Sequence, residues 1–70
     1  MTPLEIKHAI ENAGSTQRKI ARDCGVSDNM VRMVRLGERA SRHIAEKISL
    51  TINRPINEIW PEMYVKKAAR

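Results

Sequence analysis

The chain has 70 residues, with 13 lysines and arginines against 8 aspartates and glutamates, so we expect one small domain with a net charge of +5 and a thin core. The basic balance indicates an anionic partner, with nucleic acid and a membrane surface as the first candidates. The single cysteine, Cys24, excludes a disulfide-stapled mini-protein. The lack of Cys clusters and close His pairs argues against a structural zinc site. The short apolar runs argue against a membrane span or a signal peptide.

The first predicted element is a helix that begins at Thr2. Thr2 can cap it, Pro3 suits the first helical position, and Glu5 completes a capping box. Residues 12–14, with Gly14 last, end this helix. The spacing i, i+3, i+4, i+7 predicts one apolar stripe along it, made of Ile6, Ala9, Ile10 and Ala13.

Two short helices follow, joined by a tight turn. Ser15 can cap a second helix over residues 16–23, and Gly25 ends it. Ser27 caps a third helix, with Asp28 placed favourably in its first turn, and Gly37 marks its end. The residues that we expect to point inward from these two helices are Ile20, Ala21, Cys24, Met30, Val31 and Val34.

The last part of the chain predicts one longer helix and one short turn of helix. A fourth helix covers about residues 41–52, and Asn53-Arg54-Pro55 breaks it. Asn57 can cap a last turn that carries Ile59 and Trp60. No segment alternates with period two, so the predicted fold is all-α: a compact bundle of about five short helices, with one domain over residues 1–64 and a short basic tail over residues 65–70.

The second and third helices satisfy the requirements of a helix-turn-helix. The first of the pair needs a small residue in its middle, here Ala21, and the turn needs a residue that tolerates positive φ, here Gly25. The next residue must fill the core from the turn, and Val26 does so. The core contacts are completed by Ile20, Val31 and Val34. Residues 16–42 also carry most of the net charge. The pattern therefore indicates that the third predicted helix, which is the second of this pair, lies in the DNA major groove.

Two segments resemble known families. The segment from Gln17 to Val34 resembles the helix-turn-helix of Cro/phage-repressor-type DNA-binding domains. The segment from Asn53 to Tyr64 is similar to the C-terminal motif of the Ner-like regulators of transposable phages, although Met63 stands where those proteins usually have Arg. The motif matches are Ile59, Trp60, Pro61 and Tyr64. The resemblance implies a lambda-repressor-like domain in a small phage or prophage transcription regulator, acting in the cytoplasm of a bacterial cell or a phage-infected host.

Candidate base-reading residues lie on the third helix, opposite its inward face. Asn29 can bond bidentately to adenine and Arg32 to guanine, while Met33 can meet a thymine methyl group. Asp28 either accepts a hydrogen bond from a cytosine amino group or stabilises the helix N-terminus. Ser27 caps the helix and can also meet a phosphate.

Candidate phosphate contacts flank these residues. Gln17 and Arg18 begin the second helix, whose N-terminal amides point toward the DNA backbone in this geometry. Arg35, at the edge of the exposed face of the third helix, is a further DNA-binding candidate, with no choice made between base and phosphate. Arg39 and Arg42 follow that helix and either clamp the next phosphates or belong to ordinary solvated surface.

The leading function is therefore a sequence-specific double-stranded DNA-binding transcription regulator, most simply a repressor. The alternative is a non-enzymatic protein-interaction module, such as an antirepressor, that keeps the fold without DNA binding. A membrane-surface peptide needs one long basic amphipathic helix, which Gly25 and Pro55 interrupt. No constellation indicates an enzyme, a cofactor, a metal or a small-molecule substrate.

The predicted helix-turn-helix also indicates how many copies bind one DNA site. Helix-turn-helix proteins place two recognition helices about one DNA turn apart, so we expect two copies on a pseudo-palindromic site and a monomer when free. No long dimerisation helix is predicted. The spare apolar residues for a partner surface are Ile56, Met63, Tyr64 and Val65.

Overall fold

A computed structural model describes residues 1–61, and within them it contains five α-helices and no strand. The helices are α1 (Pro3–Asn12), α2 (Gln17–Cys24), α3 (Asp28–Leu36), α4 (Arg42–Ile52) and α5 (Ile56–Ile59). The predicted all-α bundle of about five helices is confirmed. The motif residue Tyr64, the partner-surface candidates Met63 and Val65, and the basic tail over residues 65–70 lie outside the described residues.

Side-chain caps fix where the first four helices begin. In α1, Thr2 Oγ1 accepts from the Glu5 amide at 3.1 Å, and the Thr2 amide donates to Glu5 Oε1 at 2.8 Å, so the predicted capping box is confirmed. The prediction of Ser15 as the cap of α2 was wrong, because Thr16 Oγ1 accepts from the Lys19 amide at 3.1 Å. Caps at Ser27 and Ser41 begin α3 and α4.

Two further local predictions need correction. Ala13 is exposed as the C-terminal cap of α1, so the apolar stripe of that helix stops at Ile10. Asn57 does not cap α5, because the helix already begins after Pro55, whose carbonyl accepts from the Ile59 amide at 3.2 Å. The helix start at Pro55 has no side-chain hydrogen bond.

The core lies between α2, which packs against both α3 and α4, and the inner faces of α1 and α5. Cys24, Val26, Met30, Ile52 and Ile56 are partly buried against it. Within residues 1–61 no polar or charged side chain is fully buried, so burial of apolar area provides the main driving force. The buried residues are Ile6, Ile10, Ile20, Ala21, Val31, Val34, Ile44, Ala45, Ile48, Ile59 and Trp60.

The turn between α2 and α3 sets the angle of α3. Gly25 adopts the left-handed conformation with φ of 71°, and the Val26 amide donates to the Ala21 carbonyl at 3.0 Å. Together these end α2 and return the chain at once, so that Val26 packs against the core and Ser27 begins α3. The short turn therefore fixes where α3 begins relative to the end of α2.

Candidate nucleic-acid interface

α3 buries one face and presents the other to solvent. Val31 and Val34 are fully buried, whereas Asn29 and Arg32 on the opposite side are exposed. Within residues 1–61, the side chains of Asn29 and Arg32 make no hydrogen bond or ion pair. Met33, beside them, is partly buried. The structure thus brings the three predicted base-reading residues onto one helix face.

The start of α3 joins a cap and an ion pair. Ser27 Oγ accepts from the Met30 amide at 3.2 Å, which confirms its predicted role as a cap. Asp28 Oδ2 lies 3.4 Å from Arg18 Nε, with side-chain exposures of 46% and 77%. At such exposure a pair contributes about 0–1 kcal/mol. Arg18 can therefore exchange Asp28 for another anion at little cost.

Arg35 and Gln17 are bound to each other and are only partly exposed to solvent. Arg35 Nε donates to Gln17 Oε1 at 3.2 Å, and Arg35 Nη1 donates to the Pro3 carbonyl at 3.1 Å. Gln17 Nε2 in turn donates to the Asp28 carbonyl at 3.4 Å. Both residues are partly buried. We call these four residues the Arg35 bridge; its existence could not be read from a helical wheel, which placed Arg35 at the edge of the exposed face.

The remaining predicted phosphate contacts differ in how their charge is used. Arg39, between α3 and α4, is exposed and makes no ion pair within residues 1–61. Arg42, at the start of α4, lies 3.5 Å from Glu46 with both side chains exposed. On α2, Lys19 and Arg22 are also exposed and unpaired within the described part of the chain. These two cations add to the basic surface although the sequence-based site left them out.

A cleft of about 300 Å³ separates α1 from the start of α2. Three cations face it, together with the first turn of α2, whose amide groups carry partial positive charge. Of the three cations that face the cleft, Lys7 was not predicted from the sequence. It lies 3.9 Å from Glu11, and a pair with this i, i+4 spacing is typical of an ordinary solvated helix face. The lining residues are Lys7, Ile10, Glu11, Thr16, Gln17, Arg18 and Arg35.

Cys24 takes no part in this surface. It is partly rather than fully buried, and this burial raises the pKa of its thiol, against the opposing effect of Lys47. A neutral thiol is a poor nucleophile. Within residues 1–61 no group of three His, Cys, Asp or Glu side chains is placed to hold a metal ion, and no helix is long and apolar enough to cross a membrane.

Comparisons of the chain with protein-family models, with curated proteins and with solved structures find no match. The resemblance to Cro-type and Ner-like regulators therefore depends on residues 17–34 and 53–64 alone and stays a prediction. Of the residues in the C-terminal motif, Ile59 and Trp60 are buried in the core, and Pro61 is exposed. Packing in the core is therefore sufficient to explain why Ile59 and Trp60 are apolar.

Proposed function

We propose that the protein is a sequence-specific double-stranded DNA-binding transcription regulator that inserts α3 into the major groove. The observation that carries the proposal is the outward face of α3, where Asn29 and Arg32 have no internal partner within residues 1–61. We further propose that it is a small phage or prophage repressor of the Ner-like kind, acting in the cytoplasm.

Base reading would fall to Asn29, Arg32 and Met33. The major groove is wide enough for one α-helix, and each base pair presents there its own pattern of donors, acceptors and methyl groups. An unpaired guanidinium such as that of Arg32 can bond both guanine acceptors at once without first breaking an intramolecular bond. The Asn29 amide offers the matching donor and acceptor for adenine. Met33, partly buried, offers apolar contact for a thymine methyl group.

Phosphate binding would fall to the exposed cations on either side of α3. Among the contacts of residues 1–61, Arg39 has no ion pair to break in reaching a phosphate, and Arg18 loses only a solvent-exposed pair with Asp28. The first amides of α2, with Lys7 beside them in the cleft, add a partly positive site for the backbone. Such contacts position the helix without reading sequence.

The proposal is tested first by selection from a library of random duplexes. We expect enrichment of one sequence that the protein binds at least a thousandfold more tightly than random DNA, in the usual range for specific regulators. Chains that enrich no duplex would contradict the proposal. That result, combined with a protein partner for the same surface, would favour the interaction module instead.

Three variants then separate the roles of individual arginines. Arg32→Ala should weaken the selected site by about 1–3 kcal/mol and leave random DNA nearly unchanged, because it removes a base contact. Arg39→Ala should weaken all sequences alike and lower the salt dependence by about 0.9 in log–log slope, because it removes one phosphate contact. Arg54→Ala is the charge-matched control, because Arg54 lies between α4 and α5 and pairs with Glu58.

Fluorescence anisotropy over a range of salt concentrations measures all of these quantities. Arg32→Ala and Arg39→Ala variants that lose specific and non-specific binding in the same ratio would show that the assigned roles are wrong. An Arg54→Ala variant that loses as much as either would show that only the net charge matters.

A further inference from the structure

The Arg35 bridge connects four places in the fold through the Arg35 guanidinium and the Gln17 side-chain amide. Arg35 lies near the C-terminal end of α3, Gln17 is the first residue of α2, Asp28 is the first residue of α3, and Pro3 is the first residue of α1. Hydrogen bonds of 3.1–3.4 Å join them in the order Pro3 carbonyl, Arg35, Gln17 side chain, Asp28 carbonyl. Both ends of α3 are thereby tied to the N-termini of the two preceding helices.

The chemistry of the bridge requires arginine. A guanidinium carries donors in a fixed planar fork, so Nε and Nη1 can serve two acceptors that lie in different helices. Neither acceptor is charged, so no ion pair within residues 1–61 neutralises the positive charge. Arg35 is partly buried, and turning it outward to a phosphate would leave the Pro3 carbonyl and Gln17 Oε1 without this donor.

We propose that Arg35 is a positioning residue that acts through Gln17 to hold the angle of α3, and not a DNA contact. The inference rests on the proposed function. The turn at Gly25 restrains α3 at its beginning, and the hydrogen bonds of Arg35 add a directional restraint near its end to the packing of the buried Val34. Arg35 follows Gly25 by ten residues, so the two restraints act near opposite ends of α3 and define a direction, which is what a recognition helix needs for several side chains to meet their bases together.

The test compares Arg35→Lys and Arg35→Met with Arg39→Lys and Arg39→Met. Lysine keeps the charge and serves phosphate well as a point charge, but it lacks the planar fork. We expect both Arg35 variants to lower the affinity ratio of selected to random duplex by about tenfold, with the salt slope unchanged. We expect Arg39→Met to lower the slope by about 0.9 and Arg39→Lys to restore it. Circular dichroism at the binding temperature verifies that each variant is folded.

A second measurement asks whether Arg35 acts through Gln17. If it does, the double variant with Gln17→Leu and Arg35→Met loses no more specificity than the more affected single variant, because either change opens the same bridge. Losses that add in full would contradict an action through Gln17. Proton exchange at Nε in the free protein, followed by nuclear magnetic resonance, should be slower for Arg35 than for Arg39; equal rates would show that the bridge does not form.

The outcomes separate this inference from the proposed function. A wild-type chain that prefers one duplex, with an Arg35→Lys variant of full specificity or an Arg35→Met variant of reduced salt slope, overturns the positioning role alone and makes Arg35 a phosphate contact. A wild-type chain that prefers no duplex overturns the proposed function and with it any role in positioning α3 on DNA. Loss of specificity in both Arg35 variants at constant slope supports the inference.

Discussion

Arg32 and Arg35 lie only three residues apart on α3, yet they differ in what they bind. Arg32 reaches solvent with no internal partner within residues 1–61, while Arg35 reaches back to Pro3 and Gln17. A helical wheel predicts correctly that Arg32 points outward, because this depends only on Val31 and Val34 pointing inward. It cannot predict the contacts of Arg35, because its acceptors are 18 and 32 residues away in sequence.

If the protein binds DNA as proposed, Asp28 opposes that binding by two means, since it carries negative charge at the edge of the basic surface and pairs with Arg18. We therefore predict that Asp28→Asn strengthens binding to random duplex DNA severalfold, because it removes a repulsive charge and releases Arg18. Glu38→Gln, next to Arg39, removes the same charge without releasing an ion-paired cation within the described residues. Anisotropy titrations that show equal gains for the two variants would reduce the effect to net charge.

Cys24 provides a residue-scale prediction about reactivity and pH. Because burial raises the pKa of its thiol, less thiolate is present in the folded protein, and we expect alkylation by iodoacetamide at pH 8 to be slower than in urea-unfolded chains. The neutral thiol's contribution to stability is present below the ordinary pKa of about 8.5 and is lost as the pH rises through the raised folded-state value. Mass spectrometry follows the reaction; equal rates in both states would be inconsistent with a protected thiol.

At the scale of the elements, helix starts were predictable where one candidate cap stood alone. Thr2 had no competing neighbour and caps as expected, and Ser27 also caps as expected although the next residue, Asp28, is a capping type as well. Ser15 and Thr16 are adjacent hydroxyl residues with the same capping chemistry, so the choice between them depends on how the preceding loop packs. The start of α5 was missed for another reason: the Pro55 carbonyl begins the hydrogen-bond pattern before Asn57 is reached.

The joint between α2 and α3 gives a prediction about stability. A Cβ atom at Gly25 would meet nothing within 4 Å, so the cost of a substitution comes from the backbone at φ of 71°. We predict that Gly25→Ala lowers the free energy of unfolding by about 1–2 kcal/mol and the melting temperature by about 4–16 °C. Gly25→Asn should cost less, because asparagine tolerates this conformation, as Asn53 does at φ of 57°. Thermal melts with equal losses for both variants would point to a steric cause instead.

The whole molecule distributes its charge more narrowly than the sequence alone indicates. Ion pairs with acidic neighbours occupy the cations on α4 and at the ends of the described chain, at Lys7, Lys47 and Arg54 among others. Cations without an ion pair or hydrogen bond within residues 1–61 are Lys19, Arg22, Arg32 and Arg39. All four fall on α2, α3 or the loop that follows. The sequence could locate the basic stretch, but only the fold determines which cations can bind a partner without first leaving an ion pair.

The size of the molecule bears on how two copies would share one DNA site. The described residues measure 37 × 22 × 17 Å, and recognition helices on one face of DNA stand about 34–36 Å apart. For copies that are centred on their recognition helices, the described residues touch at that spacing only if the longest dimension runs along the duplex, and in other orientations each half-site binds its copy without such contacts. We predict that light scattering of the free protein gives the mass of one chain, and that titration of the selected duplex ends at two chains per duplex. A duplex cut to one half-site should then bind one chain with little loss of affinity per copy, because no contact between copies is removed. A free dimer, or a half-site that binds far more weakly than the full site, would show instead that the two copies depend on each other.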